Sequence, residues 1–458
     1  MFQFFLKRLC ALLVAGIILF AACEKQMTSP THQGASSDQV QSAYSGTVKI
    51  GVFSDPHYYD PALGTNGPEF EMYLAQDRKM IRESHAILQA TVNELMSRNL
   101  DVILVPGDMT KDGELHNHQA VAGFLTQLED AGKKVYVVPG NHDISNPHSF
   151  AYPGVAVPIP SVTPSEFESI YNEFGYEEAL YRDANSLTYI ACPAEGIWIL
   201  GMDVCNYDNK FPELSNVAGK FSDATLNWIV EKLQQAQQEG ISVLGMMHHG
   251  IVEHFPGMDQ IFAEYLVDDW QNVADTFIAN GLKVVFTGHH HATDISTRGI
   301  ASNKLFDIQT GSTVTWQCPY RIVRFDVFPG VLNIDNNVIT HIDYDTQGLD
   351  FQTYAYNFLA GGLPPLVIYQ LMQMGLDEPT ATALEPLVTA TLLAYYHGDE
   401  SSMRDPDVLA GIYQLLQNPD PMAQNLGQLL LGIWTDRTPD NDVYININSG
   451  QIFGQSIF

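Results

Sequence analysis

Positive charge is scarce in this chain of 458 residues, which has 22 lysines and arginines against 53 aspartates and glutamates and a formal net charge of −31 at pH 7. Such a charge repels polyanions, so we expect no nucleic-acid polymer as a partner. Cysteine is scarce too, and five cysteines are too few for a fold held together by dense disulfides. Charged residues make up only 16% of the chain, so the negative charge reflects missing lysine and arginine more than acidic tracts.

Hydrophobic residues are plentiful at 45%, with 23 phenylalanines and 21 tyrosines, and this excludes a disordered chain. A packed globular protein is therefore predicted. The length is about three times that of a typical domain, so one large domain with insertions and two domains both stay open. The sequence also leaves the oligomeric state open.

The amino terminus has the pattern of an export signal. Lys7 and Arg8 precede an apolar run of fourteen residues, Leu9 to Ala22, which is too short to span a ~30 Å hydrocarbon core as a helix. Residues 1–22 are therefore predicted to be a signal peptide. The run ends in L-F-A-A-C, which resembles a bacterial lipoprotein signal with Cys23 as the lipidated N-terminus. An ordinary secretory signal that leaves Cys23 as a thiol stays open.

Both interpretations predict an exported protein, and the first predicts a bacterial cell-envelope lipoprotein, in the outer membrane or facing the periplasm, that is attached to a membrane through Cys23. Residues 23–46 are rich in Ser, Gln, Thr and Gly without periodicity, which predicts a disordered tether. Cys192, Cys205 and Cys318 are predicted to be buried thiols, because the register of the first two on a hairpin would keep them apart.

Five short apolar runs in the first 290 residues are each followed by polar residues that can bind metals. Helical patterns over 68–98, 115–131, 224–239 and 268–280 separate them, and Ser222 is a candidate helix cap. Alternating strands and helices predict a largely parallel sheet, in which the carboxyl ends of the strands meet at one edge. The polar clusters are Asp55-Pro56-His57, Gly107-Asp108, Gly140-Asn141-His142-Asp143, His248-His249 and Gly288-His289-His290-His291.

The remaining segments suggest a second sheet and a helical appendage. Residues 305–340 have the pattern of antiparallel strands, and helical runs rich in Ala, Leu and Gln follow from about Tyr354. We therefore predict a main domain over 47–350 and a helical C-terminal subdomain over 351–458. The Pro- and Gly-rich segment from Asn146 to Pro164 is predicted to be a surface loop that acts as a lid on the substrate.

The donor set suits a pair of metal ions. Two neighbouring cations can hold a hydroxide, orient a phosphoryl group and neutralise charge on the attacked phosphorus. Carboxylate, amide and imidazole donors without sulfur favour two divalent or trivalent ions, Mn, Fe or Zn, over a structural zinc site.

The order D-P-H, G-D, G-N-H-D, H-H and G-H-H-H resembles the calcineurin-like metallophosphoesterase superfamily over about Val48 to Ala292. The resemblance implies a four-layer α/β/β/α sandwich. It implies that Asp55, His57 and His291 bind one metal, that Asn141, His248 and His289 bind the other, and that Asp108 bridges them. In this resemblance His248 is preferred to His249, and His290 points away from the metals.

The resemblance also implies that His142 is the general acid or transition-state stabiliser, oriented by a carboxylate. Asp143 is the candidate we name as catalytic, and Asp112 is the alternative. Protein phosphatases of the superfamily carry an arginine after G-D that this chain lacks, so the resemblance favours the bacterial phosphodiesterase branch, with Lys111 or Arg298 as possible substitutes for the arginine.

The predicted reaction is the attack of a metal-bridging hydroxide on a phosphodiester. Two alternatives stay open, namely a phosphomonoesterase or nucleotidase using the same site, and a non-catalytic surface-binding lipoprotein with a vestigial metal site. The histidines outside the motifs are interpreted as solvated or lid residues: His116, His118, His148, His254 and His341.

Overall fold

The computed structural model describes residues 44–207, 217–398, 405–435, 439 and 441–455. The predicted signal peptide, Cys23 and the tether up to residue 43 lie outside the described residues. Within the described ranges, no helix is both long and apolar enough to cross a membrane.

The first large sheet carries three of the five polar clusters. β1 (Thr47–Val52) is parallel to β3 (Val102–Val105) and β3 to β4 (Lys134–Val137), whereas β14 (Pro319–Asp326) is antiparallel to β1. Ile50 of β1 pairs with Val102 on one side and with Val323 on the other. The carboxyl ends of β1, β3 and β4 therefore lie at one edge. In spatial order the strands are β17 (Gln451–Gln455), β16 (Val443–Asn446), β15 (Val331–Val338), β14 (Pro319–Asp326), β1 (Thr47–Val52), β3 (Val102–Val105) and β4 (Lys134–Val137).

The second large sheet carries the two histidine clusters. β9, β10, β11 and β13 are mutually parallel, while β12 is antiparallel to β13 and β8 to β9. In spatial order the strands are β12 (Asp294–Ile300), β13 (Asn303–Gln309), β11 (Val284–Thr287), β10 (Ser242–Met247), β9 (Ile197–Met202), β8 (Tyr189–Ala194) and β7 (Tyr181–Arg182).

Helices cover the outer faces of both sheets. Buried side chains of α2 and α3 join those of both sheets in one apolar core, and α5 and α7 form a second core with the other face of the second sheet. This is the four-layer sandwich, and the predicted fold class is confirmed. The helices that precede the C-terminal segment are α1 (Pro68–Ala75), α2 (Ser84–Ser97), α3 (Leu115–Asp130), α4 (Pro164–Ile170), α5 (Asp223–Glu239), α6 (Met258–Ile261) and α7 (Trp270–Ala279).

Local sequence explains where two of these helices begin or end. Ser222 caps α5 as predicted, because its hydroxyl accepts a hydrogen bond from the Thr225 N–H at 3.0 Å. The helix predicted over 68–98 is instead two helices with residues 76–83 between them. Asp77 causes the interruption, since its carboxylate accepts the N–H groups of Arg78 and Lys79 at 2.7 and 3.3 Å and so competes with helical pairing.

The C-terminal segment is helical and then returns to the first sheet. Its helices are α8 (Phe351–Gln373), α9 (Glu378–His397), α10 (Pro406–Leu416) and α11 (Pro421–Ile433), and they enclose an apolar core of their own. The strands β16 and β17 follow α11 and extend the first sheet beside β15. The segment predicted as helical over 351–458 therefore contains two strands that the sequence analysis did not foresee.

Two smaller expectations are modified. The segment 146–164 is not wholly loop, because β5 (Phe150–Pro153) and β6 (Val157–Pro158) form a small sheet with β2 (Thr65–Asn66).

Cys318 is buried as predicted, but Cys192 is exposed and Cys205 only partly buried, and all three are free thiols. The burial prediction fails for Cys192 because the pairing of β8 with β9 is irregular between Ala191 and Ala194.

Candidate metal centre

The five polar clusters meet at the carboxyl ends of the parallel strands. Two sets of side chains each bring their donor atoms within 4.8 Å of one another. We call them the first donor group (Asp55, His57, Asp108 and His291) and the second donor group (Asp108, His248 and His289). Asp108 belongs to both, so the arrangement is that of two neighbouring metal sites with one shared carboxylate.

The distances between donor atoms fit two ions. Oδ2 of Asp108 lies 3.5 Å from Nε2 of His57 and 3.4 Å from Nε2 of His248, so one oxygen faces both groups. Nε2 of His291 lies 3.1 Å from Nε2 of His57 and 3.5 Å from Oδ1 of Asp55. Ligands about 2.0–2.2 Å from one ion are separated by roughly 3 to 3.5 Å, which is the spacing seen here.

Asn141 lies beside the second donor group. Its Oδ1 is 3.1 Å from Nε2 of His248, while its Nδ2 is buried and has no hydrogen-bond partner among the described residues. An amide whose oxygen faces a group of imidazoles is suited to coordinate a cation. The structure thus brings all seven predicted metal-binding residues to one place.

Hydrogen bonds from outside the donor groups orient the ligands. Nδ1 of His248 donates to the Pro106 carbonyl at 2.8 Å, which leaves Nε2 free to bind a metal. The carboxylate of Asp55 accepts from the Ser54 hydroxyl at 2.6 Å and from the His289 N–H at 3.0 Å. The metal-binding atoms are therefore held in position before an ion arrives.

The backbone at the centre is strained. Ten described residues other than glycine have positive φ, and five of them are ligand candidates: Asp55 (52°), His57 (38°), Asp108 (51°), His289 (77°) and His291 (63°). This left-handed conformation is unfavourable for residues with a Cβ, and it persists where the surrounding structure imposes it. The chain thus turns sharply after β1, β3 and β11 and directs these ligands to the centre.

Two glycines of the motifs lie so close to side chains of neighbouring strands that no larger residue would fit. A Cβ on Gly140 would collide with the carboxylate of Asp108, and a Cβ on Gly288 would collide with the side chains of Ser54 and Asp55. The glycines of the G-N-H and G-H motifs therefore leave room for the carboxylates of the neighbouring strands.

Burial prepares two of the histidine ligands for a metal, and charge acts on two other ligands. Burial lowers the pKa of His248, but the charge of Asp108 outweighs it and raises that pKa to about 9, so His248 releases a proton when a metal binds. Burial lowers the pKa of His57 and of His289 well below the ordinary value, so both imidazoles are neutral and can coordinate. Burial raises the pKa of Asp108, but the charges of His248 and His142 outweigh it and hold that pKa well below its usual range. Asp108 is thus an anion between the two donor groups.

His142 is oriented by Asp112 and not by Asp143. Nδ1 of His142 donates to Asp112 Oδ1 at 2.9 Å and to the Lys111 carbonyl at 2.7 Å, and its buried Nε2 has no partner among the described residues. The ring lies 4.8 Å from that of His57, so His142 adjoins the first donor group.

The carboxylate of Asp143 instead fastens two loops, since it accepts the N–H groups of Gly140, Met109 and Thr110 at 2.8–3.1 Å. Burial, followed by the charge of Asp108, raises the pKa of Asp143 to about 7 despite these hydrogen bonds. Our choice of Asp143 as the catalytic carboxylate is therefore corrected to Asp112, for the physical reason that Asp143 has no free side to offer His142.

Other histidines of the motifs lie where the sequence placed them. Nε2 of His249 donates to the Val217 carbonyl at 2.8 Å, away from Asp108. His290 also turns away, with its ring stacked on that of His254 at 4.4 Å and its Nδ1 3.1 Å from the Tyr395 hydroxyl.

Outside the motifs, His116, His148 and His341 are exposed as predicted, whereas His118 and His254 are buried. The buried ring of His118 has a hydrogen-bond partner at each nitrogen, the Tyr171 hydroxyl at 2.9 Å and the Asp143 carbonyl at 2.8 Å, so its burial leaves neither nitrogen unsatisfied.

Neither predicted substitute for the missing arginine reaches the centre. Lys111 is fully buried in ion pairs with Asp112 and Glu114, and Arg298 pairs with Asp275 at 2.7 Å on an exposed surface. The sequence analysis also missed Tyr265, whose ring lies 4.6 Å from that of His289. An isolated tyrosine between two helices gives no sequence signal of such a contact.

One comparison with known proteins identifies a family. Residues 48–293, more than half of the chain, match the family model described as calcineurin-like phosphoesterase. No curated protein matches the sequence. Among solved structures, a dimetal phosphatase from Danio rerio is 14% identical, with 64% of this chain and 97% of that chain covered and a TM-score of 0.44.

A purple acid phosphatase from yellow lupin seeds is 11% identical, with 64% of this chain and 52% of that chain covered and a TM-score of 0.41. A 5'-nucleotidase precursor from Thermus thermophilus is 11% identical, with 72% and 60% covered and a TM-score of 0.35. The match of the family model together with the two donor groups shows that the chain belongs to the calcineurin-like phosphoesterase family and is a metal-dependent phosphoesterase.

Proposed function

We propose that this protein hydrolyses a phosphodiester at a centre of two metal ions, Mn, Fe or Zn. The supporting observation is the position of Asp108, whose single oxygen Oδ2 faces His57 at 3.5 Å and His248 at 3.4 Å. None of the seven predicted ligand positions is lost, which argues against a vestigial site. When bound, the ions would supply Lewis acidity that activates water and neutralises charge on phosphorus.

The chain supplies a positioned acid for the leaving group. His142 holds its Nδ1–H against Asp112, and its Nε2 has no hydrogen-bond partner within the part of the chain that the structure describes. In the protonated imidazole, Nε2–H can give its proton to the departing alkoxide, while the carboxylate of Asp112 stabilises the charged ring beforehand. Asp112 is a positioning residue in this scheme, and His142 is the catalytic one.

Charge at the centre favours a diester over a monoester. A monoester dianion needs more cationic help than a diester monoanion, and the arginine that follows G-D in protein phosphatases is absent here. The charge of Lys111 is balanced by Asp112 and Glu114, and that of Arg298 by Asp275. Less positive charge at the phosphoryl group suits the monoanionic substrate.

The test compares the parent protein with Asp108→Asn. We expect the parent, loaded with manganese, to hydrolyse bis(p-nitrophenyl) phosphate and to lose this activity with EDTA. Asp108→Asn should lower turnover at least about a hundredfold, because it weakens the ligand shared by both metals. Asp101→Asn, an exposed aspartate that accepts the Lys49 N–H at 2.8 Å, is the matched control and should leave turnover unchanged.

Two results would contradict the proposal. The first is that the parent hydrolyses neither bis(p-nitrophenyl) phosphate nor p-nitrophenyl phosphate, or that Asp108→Asn hydrolyses the diester at the rate of the parent. The other concerns the substrate alone: a higher kcat/KM for p-nitrophenyl phosphate than for the diester would replace phosphodiesterase with phosphomonoesterase activity.

A further inference from the structure

Three linked and buried charges lie on the Nδ1 side of His142. Oδ1 of Asp112 accepts the Nδ1–H of His142 at 2.9 Å, and the other oxygen of the same carboxylate pairs with the ammonium of Lys111. Nζ of Lys111 is also 3.2 Å from Oε1 of Glu114. The side chains of Lys111 and Glu114 are completely buried, and that of Asp112 is only 6% exposed. One oxygen of Asp112 thus holds the imidazole, and the other is held by Lys111.

Glu114 fastens this set of charges to a helix. Its Oε2 accepts the Asp112 N–H at 3.0 Å and the side-chain amide of Asn117 at 2.9 Å. Asn117 belongs to the first turn of α3, and its Oδ1 accepts the Asp60 N–H at 3.0 Å. Lys111 is therefore paired with a carboxylate whose own position is fixed by hydrogen bonds. An ammonium held in this way can fix the second carboxylate that it contacts.

Aromatic rings surround the ammonium of Lys111. Its Nζ lies 4.6 Å from the centre of the Tyr73 ring, and 5.7 and 5.8 Å from those of Tyr152 and Tyr59. The His148 carbonyl, at 3.4 Å from Nζ, is a further acceptor. The rings attract the cation, and they strengthen its ion pairs because they exclude the water that would screen them. Lys111 is therefore held where it is, and Asp112 is its link to His142.

The charge of Lys111 keeps Asp112 ionised. Burial raises the pKa of the Asp112 carboxyl, but the charge of Lys111 and the hydrogen bond from His142 outweigh it and hold that pKa below its ordinary value. Without the ammonium, Asp112 and Glu114 would be two buried anions that lack this cation between them. A carboxylate in that situation takes up a proton or turns towards other donors, and its oxygen is then lost to the imidazole.

We propose that Lys111 is a positioning residue for His142, because it fixes the Asp112 carboxylate that orients the imidazole. This inference rests on the proposed function, and it deepens it by naming the residue that holds the proton donor in place. Lys111 itself exchanges no proton. The leaving oxygen takes the Nε2 proton as its bond to phosphorus breaks, and the water that is consumed gives its hydroxyl group to phosphorus and its proton to the ring.

The test uses two diesters that differ in how much their leaving group needs a proton. Phenolate, the leaving group of diphenyl phosphate, is more basic than p-nitrophenolate and gains more from a positioned acid. In Lys111→Met we expect kcat to fall about a hundredfold for diphenyl phosphate and about tenfold for bis(p-nitrophenyl) phosphate, with KM and manganese content unchanged. A merely structural role would lower both values of kcat by the same factor.

Two further variants separate this effect from a loss of folding. Lys133→Met is the matched control and should leave both values of kcat unchanged, since Lys133 is also largely buried but donates to the Arg98 carbonyl at 3.0 Å, at the opposite end of β4 from the centre. If Lys111→Met does not fold, the double variant Lys111→Met/Glu114→Gln takes its place. It removes one positive and one negative charge, so the local net charge is unaltered, and the same difference between the two diesters is expected.

The hydrogen bond to Asp112 is also observable without turnover. In zinc-loaded protein with isotopically labelled histidine, proton NMR should show a downfield Nδ1–H signal that His142→Gln removes and thereby assigns. Lys111→Met should shift this signal upfield or broaden it beyond detection, whereas Lys133→Met should leave it as in the parent.

The outcomes separate this inference from the proposed function. If Lys111→Met lowers kcat equally for both diesters or for neither, or leaves the His142 signal unchanged, the inference is overturned and the proposed function stays intact. A parent that hydrolyses neither diester contradicts the proposed function, and the NMR signal then decides the inference alone. Its loss in Lys111→Met supports the positioning of His142 by Lys111, and its persistence refutes it.

Discussion

The metal centre and the C-terminal helices are built on opposite principles. The four helices α8–α11 each begin at an aspartate whose side chain accepts an N–H of the first turn, and their shared core is apolar. At the centre, five ligand residues have left-handed backbone, and the buried side chains are carboxylates and imidazoles. The starts and the shared core of these helices follow local preferences, although α8 and α9 contain the interior prolines Pro364, Pro365 and Pro386. The backbone of the centre contradicts local preferences at five ligands and depends on the sheets around it.

The difference shows which region can tolerate change. A helix that agrees with its own sequence loses little when an exposed residue is exchanged. The centre should not tolerate such exchanges, because its strained loops and its charges are held in place by neighbouring strands. Substitutions of the same chemical type should therefore have opposite outcomes in the two regions.

The largest contrast is expected for glycine-to-alanine exchanges. Gly140→Ala should displace Asp108, since the new Cβ would collide with its carboxylate, and we expect loss of bound manganese and of nearly all turnover. Gly361→Ala in α8 places its Cβ in open space and should stabilise the fold by about 0.5–1 kcal/mol without changing turnover. Metal analysis by mass spectrometry and thermal unfolding measure the two effects. Full metal content in Gly140→Ala would show that the centre is more adaptable than we infer.

The second largest effect is expected on kcat when His142 is replaced, with the metal ions still bound. His142→Gln removes the proton donor but not a ligand, so kcat should fall by about 10²- to 10⁴-fold with unchanged manganese content. His116→Gln, on an exposed histidine that pairs with Asp60 at 2.9 Å, is the same exchange outside the centre and should leave kcat unaltered. A kcat reduced less than about threefold in His142→Gln would remove His142 from the mechanism.

The two regions also differ in how far the sequence predicts them. Motifs predict the ligands well because few residue types bind metals, and parallel strands bring them to one edge. His248 rather than His249, for instance, faces Asp108 in the structure. Periodicity predicts helices from about Tyr354, and α8 to α11 occupy that region.

Contacts between distant segments were not predictable. The pattern over 68–98 indicates one helix, and only the fold reveals that Asp77 interrupts it by accepting the N–H groups of Arg78 and Lys79. The choice between Asp112 and Asp143 likewise depends on the path of a loop, since both carboxylates lie close to His142 in sequence or in space. The strands β16 and β17 lie beyond the helices and pair with β15, a partner more than a hundred residues earlier.

The smallest effect tests whether the C-terminal core is independent of the centre. Ile412 is fully buried among the apolar side chains of that core, and Ile412→Ala should lower the free energy of unfolding by about 2–4 kcal/mol. Tyr413→Ala is the control on the same helix, because Tyr413 is 49% exposed and its loss should cost less than about 0.5 kcal/mol. Urea unfolding followed by circular dichroism measures both.

At 25 °C, where each variant is still folded, manganese content and kcat should equal those of the parent, because Ile412 belongs to neither donor group. If Ile412→Ala instead loses manganese as Gly140→Ala does, the apolar core and the strained centre are one cooperative unit, and the division between them is wrong.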